Sequence, residues 1–208
     1  PGINDTDLGN IIRFALDHYP VVRGIHFQPI SYFGRFPSEP QDENRLTIPE
    51  ILRAMEVQSG GLVKTKDFHP KGSENSYCSF HCSYILMPDG KLLAVKNQAE
   101  KSCGCNKPED ASKALKRTRS FVARNWTYPS NTASTRCGES TSMGDWDLIL
   151  ERSKTHLFSV SGMAFQDAWN LDLDLLQDCC INVAGEGGKL VPFCAYNITN
   201  THGVALYR

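Results

Sequence analysis

Leu8-Gly9-Asn10-Ile11-Ile12-Arg13-Phe14-Ala15-Leu16, stopped at Pro20 and followed by Val21-Val22-Arg23-Gly24-Ile25-His26-Phe27-Gln28-Pro29-Ile30, is the stretch that decides the fold class. Leu8, Ile11, Ile12, Ala15 and Leu16 recur at helical spacing, and Asp5 or Thr6 can cap the helix they form. The run from 21 to 30 is short, apolar and bounded by prolines, which predicts a mostly buried strand. A helix feeding a strand through a short connection is half of a βα repeat. It predicts an α/β fold with a parallel sheet, other strands of which precede this chain. The loop Ser31-Tyr32-Phe33-Gly34-Arg35-Phe36-Pro37 then falls at the strand's C-terminal edge, where such folds place their ligands. Pro1-Gly2-Ile3-Asn4-Asp5 is turn chemistry without an initiator methionine or a leader, so the chain reads as the C-terminal portion of a longer one.

Downstream, Thr47-Ile48-Pro49-Glu50 is a capping box that opens a helix through about Gln58, ended by Gly60-Gly61. Near residue 62 the pattern changes. Ser83 to Met87 and Lys91 to Val95, joined by Pro88-Asp89-Gly90, form a hairpin signature. A basic helix is expected from Pro108 to about Asn125, another helix from Gly144 to about Lys154, and a short one from Asp172 to Asp178. A second hairpin is expected from Cys180-Ile181-Asn182-Val183 through Gly185-Glu186-Gly187-Gly188 to Lys189-Leu190-Val191. The organisation is thus an α/β part over 1–61 and an α+β, cysteine-rich part over 62–208. Lysine and arginine number 22 against 23 aspartates and glutamates in 208 residues, a net charge of −1. That balance offers no electrostatic ground for a nucleic-acid or anionic-membrane partner. No apolar run approaches the ~18 residues of a membrane span.

Eight cysteines stand at 78, 82, 103, 105, 137, 179, 180 and 194. Buried apolar thiols explain one or two of them, not eight beside Gly, Pro, Ser and His. A disulfide framework suits the even count and the sequons at Asn4, Asn125 and Asn197. The density, about 4%, is however below that of a disulfide scaffold. Metal ligation is the third reading. Cys78 and Cys82 precede the first hairpin, read as a loop, and Cys103-Gly104-Cys105 follows it, so the hairpin would bring four sulfurs together. Cys179, Cys180 and Cys194 flank the second hairpin in the same manner, with either one of the adjacent pair serving a site near Cys194 or each facing a different site, and Cys137 a further member. Spacing alone does not separate zinc from iron–sulfur.

At Pro1 to Asp5, Gly24 to Pro29 and Phe193-Cys194-Ala195-Tyr196-Asn197 the chain resembles the C-terminal half of radical S-adenosylmethionine (radical SAM) enzymes, in the group that contains tetraether lipid synthases, methanopterin-methylating enzymes and selenoprotein relatives. The resemblance implies that residues 1–61 are the last part of a partial (β/α)6 barrel and that residues 62–208 are an auxiliary-cluster extension. It implies [4Fe–4S] clusters held by Cys78, Cys82, Cys103, Cys105, Cys137, Cys179, Cys180 and Cys194, and S-adenosylmethionine beside Asn4, Gly24, Ile25 and Gln28. An electron donor, an unidentified substrate and a cytoplasmic setting follow from it. The family's CxxxCxxC is absent: three positions after Cys82 stands Ile85. Any radical chemistry therefore belongs to the longer parent.

The residues also carry plainer readings. Asn4 is a turn residue, His26 an interior or alternate-face strand residue, and His81 a loop side chain turned to solvent; Arg35 is either a solvated side chain or, with Gln28, a contact to S-adenosylmethionine or substrate. Lys116, Arg117, Arg119 and Arg124 form one wet helix face. Two other functions compete with the enzymatic one: a zinc-stabilised binding module, and an extracellular disulfide-bonded domain.

Overall fold

Why a helix forms at the start of the chain is clear from its burial. In α1 (Leu8–Asp17) the side chains of Leu8, Ile12 and Ala15 are buried along one stripe. The computed structural model describes residues 1–34, 38–70, 75–95, 116, 119–120, 123 and 145–207. These divide into two compact units, one of Pro1–Arg13, Ile25–Cys82 and Val160–Arg208, the other of Phe14–Gly24 and Ser83–Ser159.

The strands are β1 (Gly24–Phe27), β2 (Ser79–Leu86), β3 (Leu92–Ala94) and β4 (Leu157–Met163), forming a small sheet in the order β1-β4-β2-β3. β2 and β3 are the predicted hairpin, with Tyr84, Ile85 and Leu86 opposite Ala94, Leu93 and Leu92. The amide of Ser159 bonds the Arg23 carbonyl at 3.1 Å and the Ser161 hydroxyl reaches the Ile25 carbonyl. Partners that step upward together make β1 and β4 parallel. β4 and β2 run antiparallel: Ala164 N–H bonds the Cys78 carbonyl at 2.8 Å, and two residues earlier Gly162 lies under the Phe80 ring. A Cβ at Gly162 would stand 2.3 Å from the Phe80 ring and 2.7 Å from the Phe27 carbonyl oxygen, so only glycine allows this crossing.

In the first unit, α2 (Ile48–Gln58) begins as its capping box dictates. The Glu50 carboxylate accepts both the Thr47 amide, at 2.7 Å, and the Thr47 hydroxyl, at 2.6 Å. Ile51 and Met55 are buried. The C-terminal end of α2 is tied to α1: Gln58 accepts the Gly9 amide, donates to the Asp5 carbonyl, and offers its own carbonyl to Arg13. Val63, Phe80, Cys82, Val160 and Ala195 are further buried apolar residues of this unit.

In the second unit Tyr84, Ile85 and Phe158 are buried, and α3 (Asp145–Thr155) leads into β4. Tyr19 donates to the Thr155 carbonyl, which Arg23 also contacts at 3.0 Å. Lys116, Arg119, Ser120 and Ala123 are helical and exposed; the rest of the predicted basic helix lies outside the described residues. In the first unit again, α4 (Leu173–Gln177) is capped by Asp172, whose carboxylate accepts the Asp174 and Leu175 amides. β5 (Asn182–Ala184) and β6 (Leu190–Pro192) form the second predicted hairpin, and the single-turn α5 (Phe193–Tyr196) follows.

β4 is the strand that the sequence reading missed, although Phe158 and Val160 alternate with Ser159 and Ser161 as a strand requires. The strand predicted over 21–30 is paired only from Gly24 to Phe27.

Candidate functional site

Asp167 follows β4 and is the centre of a polar constellation in the first unit. It is 0% exposed. Its two oxygens accept four bonds: Arg45 Nη1 and Nη2, each at 3.0 Å, the Tyr32 amide at 2.8 Å and the Trp169 amide at 3.1 Å. Burial alone would push this carboxyl up. The Arg45 guanidinium and the Tyr32 and Trp169 amides outweigh that and hold it below the usual aspartate value. The fork-on-fork pair fastens the segment after β1 to the segment after β4. The same two segments meet again where the Ser31 hydroxyl donates to the Phe165 carbonyl at 2.8 Å. Arg45 also lies over the Tyr32 ring, 5.1 Å from its centroid, while the Tyr32 hydroxyl donates to the Asn44 carbonyl. Both joined segments leave the C-terminal ends of the neighbouring strands β1 and β4.

Next to this anchor lie Phe33, Phe165 and Phe193, with the Phe165 and Phe193 rings 4.6 Å apart and Phe33 edge-on to Phe193 at 6.1 Å. Cys194 follows Phe193. Its sulfur accepts the Gln166 amide at 3.3 Å. Burial pushes the Cys194 thiol up and the Gln166 amide offsets part of that; Cys179 is near enough for its charge to raise it further. The Phe193 amide bonds the Ile181 carbonyl at 2.9 Å, which extends the hairpin ladder to just inside Cys180 and Cys194. Cys179 is half-buried, whereas its neighbour Cys180 is exposed.

Cys78 and Cys82 are arranged differently. Cys82 is a buried residue within β2, not a loop residue, and Cys78 immediately precedes that strand. Four residues of extended chain separate their Cα atoms by roughly 13 Å, so these two do not converge on one ion. Cys103, Cys105 and Cys137 lie outside the described residues. Among the described residues no disulfide is present, and no group of three or more His, Cys, Asp or Glu side chains is placed to hold a metal ion. Of the described cysteines, Cys179 and Cys194 flank the second hairpin, and the Gln166 amide N–H is directed at the Cys194 sulfur.

The other sequence-predicted residues lie on and around β1. Gly24 and Ile25 are half-buried and Gln28 is exposed just past the strand. Asn4 is exposed, and its carbonyl accepts the Asp7 amide in the turn that enters α1. His26 is exposed, with Nδ1 3.0 Å from the Ser161 hydroxyl on the neighbouring strand. His81 sits in β2 rather than on a loop, half-buried, its ring edge-on to His69 at 6.0 Å. Arg35 lies outside the described residues. Asp167, Arg45 and Ser161 were not singled out from the sequence.

No family model matches the chain. A comparison with characterised proteins does find a match. The chain is a distant relative of 7,8-dihydro-6-hydroxymethylpterin dimethyltransferase from Methanocaldococcus jannaschii. The two are 29% identical over 244 aligned positions, which take in 94% of this chain and 46% of the relative. The chain thus spans about half the length of that enzyme. Among the described residues no helix is long and apolar enough to cross a membrane.

Proposed function

We propose that the chain is the C-terminal part of a radical SAM enzyme of the methylating kind, with residues 1–61 closing an α/β barrel and residues 62–208 holding auxiliary iron–sulfur ligation. The observation that carries the reading is the match to a dimethyltransferase along nearly the whole chain. The helix–strand entry, the parallel β1–β4 pair and the approach of Cys179 to Cys194 support it. When bound, a [4Fe–4S] cluster and S-adenosylmethionine supply radical chemistry and methyl groups. What these residues contribute is ligation and positioning. Cys179 and Cys194 would give two thiolates, and the Gln166 amide would stabilise one of them. Phe33, Phe165 and Phe193 would keep water from the sulfurs, which favours a buried cluster. Asp167 and Arg45 would hold the two loops around the reaction site. Gly24, Ile25 and Gln28 would face S-adenosylmethionine, and a reduced electron-carrier protein would be the partner.

The test is anaerobic reconstitution of the chain with iron and sulfide. The reading expects a broad absorption at about 400 nm and roughly four irons per chain, both diminished by Cys194→Ser and unaffected by Cys180→Ser. Retention of zinc alone, without that absorption, refutes the cluster and leaves a zinc-stabilised module.

A further inference from the structure

One peptide plane in the first compact unit is gripped at both of its polar ends. The Phe165 carbonyl accepts the Ser31 hydroxyl at 2.8 Å, and the N–H of the same peptide, that of Gln166, points at the Cys194 sulfur at 3.3 Å. The loop after β1, the segment after β4 and α5 therefore meet through a single amide. The Gln166 side chain is held as well, its Oε1 accepting the Asp172 amide at 3.2 Å. Ser31, Phe165, Gln166 and Cys194 are all half-buried, where hydrogen bonds are electrostatically stronger than in water. The first two segments are fastened without Ser31. Asp167 joins them through Arg45 and through the amide of Tyr32, the residue next to Ser31. What Ser31 adds is a donor on the carbonyl of the peptide whose N–H faces a sulfur.

We propose that Ser31 is a positioning residue for the Cys194 sulfur, acting through the Phe165–Gln166 peptide. Amide resonance joins the two ends of a peptide, so a donor on its oxygen leaves the nitrogen poorer in electrons and its N–H the stronger donor. The same bond fixes the tilt of the plane, and a hydrogen bond weakens steeply as it bends. Both effects keep the N–H on the sulfur. The inference rests on the proposed role of Cys194 as a ligand to iron, and it names what governs that ligand. The reduced form of a cluster carries more charge on its sulfurs and gains more from an N–H, so this bond raises the reduction potential. The loop after β1 is thereby coupled to the sulfur. Whatever draws Ser31 away from the Phe165 carbonyl weakens the N–H···S bond and lowers that potential.

The test uses the full chain free of metal and follows hydrogen exchange of the Gln166 amide by NMR. The Asp167 amide, which bonds Asn170 Oδ1 instead, is the internal reference. Ser31→Ala should speed Gln166 exchange about tenfold and leave Asp167 within about twofold, and Ser31→Thr, which keeps the hydroxyl, should restore the parent rate. The effect passes through the sulfur, so in a Cys194→Ala background Ser31→Ala should change Gln166 exchange by less than about twofold. After reconstitution with iron and sulfide, Ser31→Ala should lower the midpoint reduction potential and Ser31→Thr should return it. The proposal is overturned by an unchanged Gln166 rate in Ser31→Ala, by equal acceleration at Asp167, by failure of threonine to rescue, by an equal effect in both cysteine backgrounds, or by a cluster whose potential does not move. If no cluster assembles, the cluster reading fails by itself, because the exchange measurements are made without iron and still decide the coupling.

Discussion

Replacing Asp167 by asparagine exchanges one oxygen for an NH2 group in a buried side chain that accepts four hydrogen bonds. The carboxylate accepts from both Arg45 nitrogens and from the Tyr32 and Trp169 amides. An asparagine keeps one acceptor oxygen. Whichever way the amide is turned, its NH2 group faces one guanidinium N–H and one backbone N–H, so two bonds become donor–donor contacts. A lost bond to a charged group is worth about 1.5–3 kcal/mol and a lost neutral one about 0.5–1.5 kcal/mol. With Arg45 deprived of its counter-charge at a site where Asp167 is 0% exposed, the total is about 3–5 kcal/mol. The assay is urea unfolding followed by Trp169 fluorescence, with Trp126 and Trp146 replaced by phenylalanine. The same contacts set a pH dependence. The carboxyl is held below its ordinary value, so its contribution is complete above about pH 4 and disappears as pH falls through the lower folded value. Asp167→Asn should remove that acid-sensitive part as well as lowering stability at neutral pH. A variant within ~1 kcal/mol of the parent at pH 7 would falsify the view that this carboxylate anchors the loops.

Other outcomes follow from single contacts. Gly162→Ala should destabilise the chain by about 1–3 kcal/mol in thermal unfolding, since its Cβ would meet the Phe80 ring and the Phe27 carbonyl; no change there would mean that β1, β4 and β2 are not so closely apposed. Burial, and after it the charges of Arg152 and Arg23, lower the proton affinity of His156. Its stabilising effect is therefore whole above about pH 6.5 and declines on acidification, a slope that His156→Gln should flatten in melting curves taken from pH 7 to 5. Alkylation mapped by mass spectrometry should label exposed Cys180 well before Cys194, whose thiol burial pushes up. Equal rates would contradict the burial of Cys194.

Local features were legible in the sequence because they are decided locally. Thr47 and Glu50 cap a helix in any context, Asp172 caps another, and Pro88-Asp89-Gly90 turns a hairpin. The flanking of the second hairpin by Cys179 and Cys194 was legible for the same reason, since a short turn fixes where its ends go. What was not legible is what long separation decides. The partner of β1 is a strand from the far end of the chain, and no spacing rule announces that pairing. Arg45 and Asp167 lie 122 residues apart and look separately like any surface charges. Cys78 and Cys82 were misread because CxxxC suits a turn as readily as a strand. The alternation of His81 and Ser83 with Phe80, Cys82 and Tyr84 was the available clue that the strand had already begun.

The pairing of His26 with Ser161 spans 135 residues, and this has a consequence for biosynthesis. At about 5–20 residues per second the ribosome needs roughly 7–27 s to deliver the second strand after the first has emerged. Throughout that interval β1 waits with Ile25 and Phe27 unsheltered by β4. A pause that holds β4 back while β1 is already outside the ribosome should raise the aggregated fraction, whereas one placed after β4 has emerged should not.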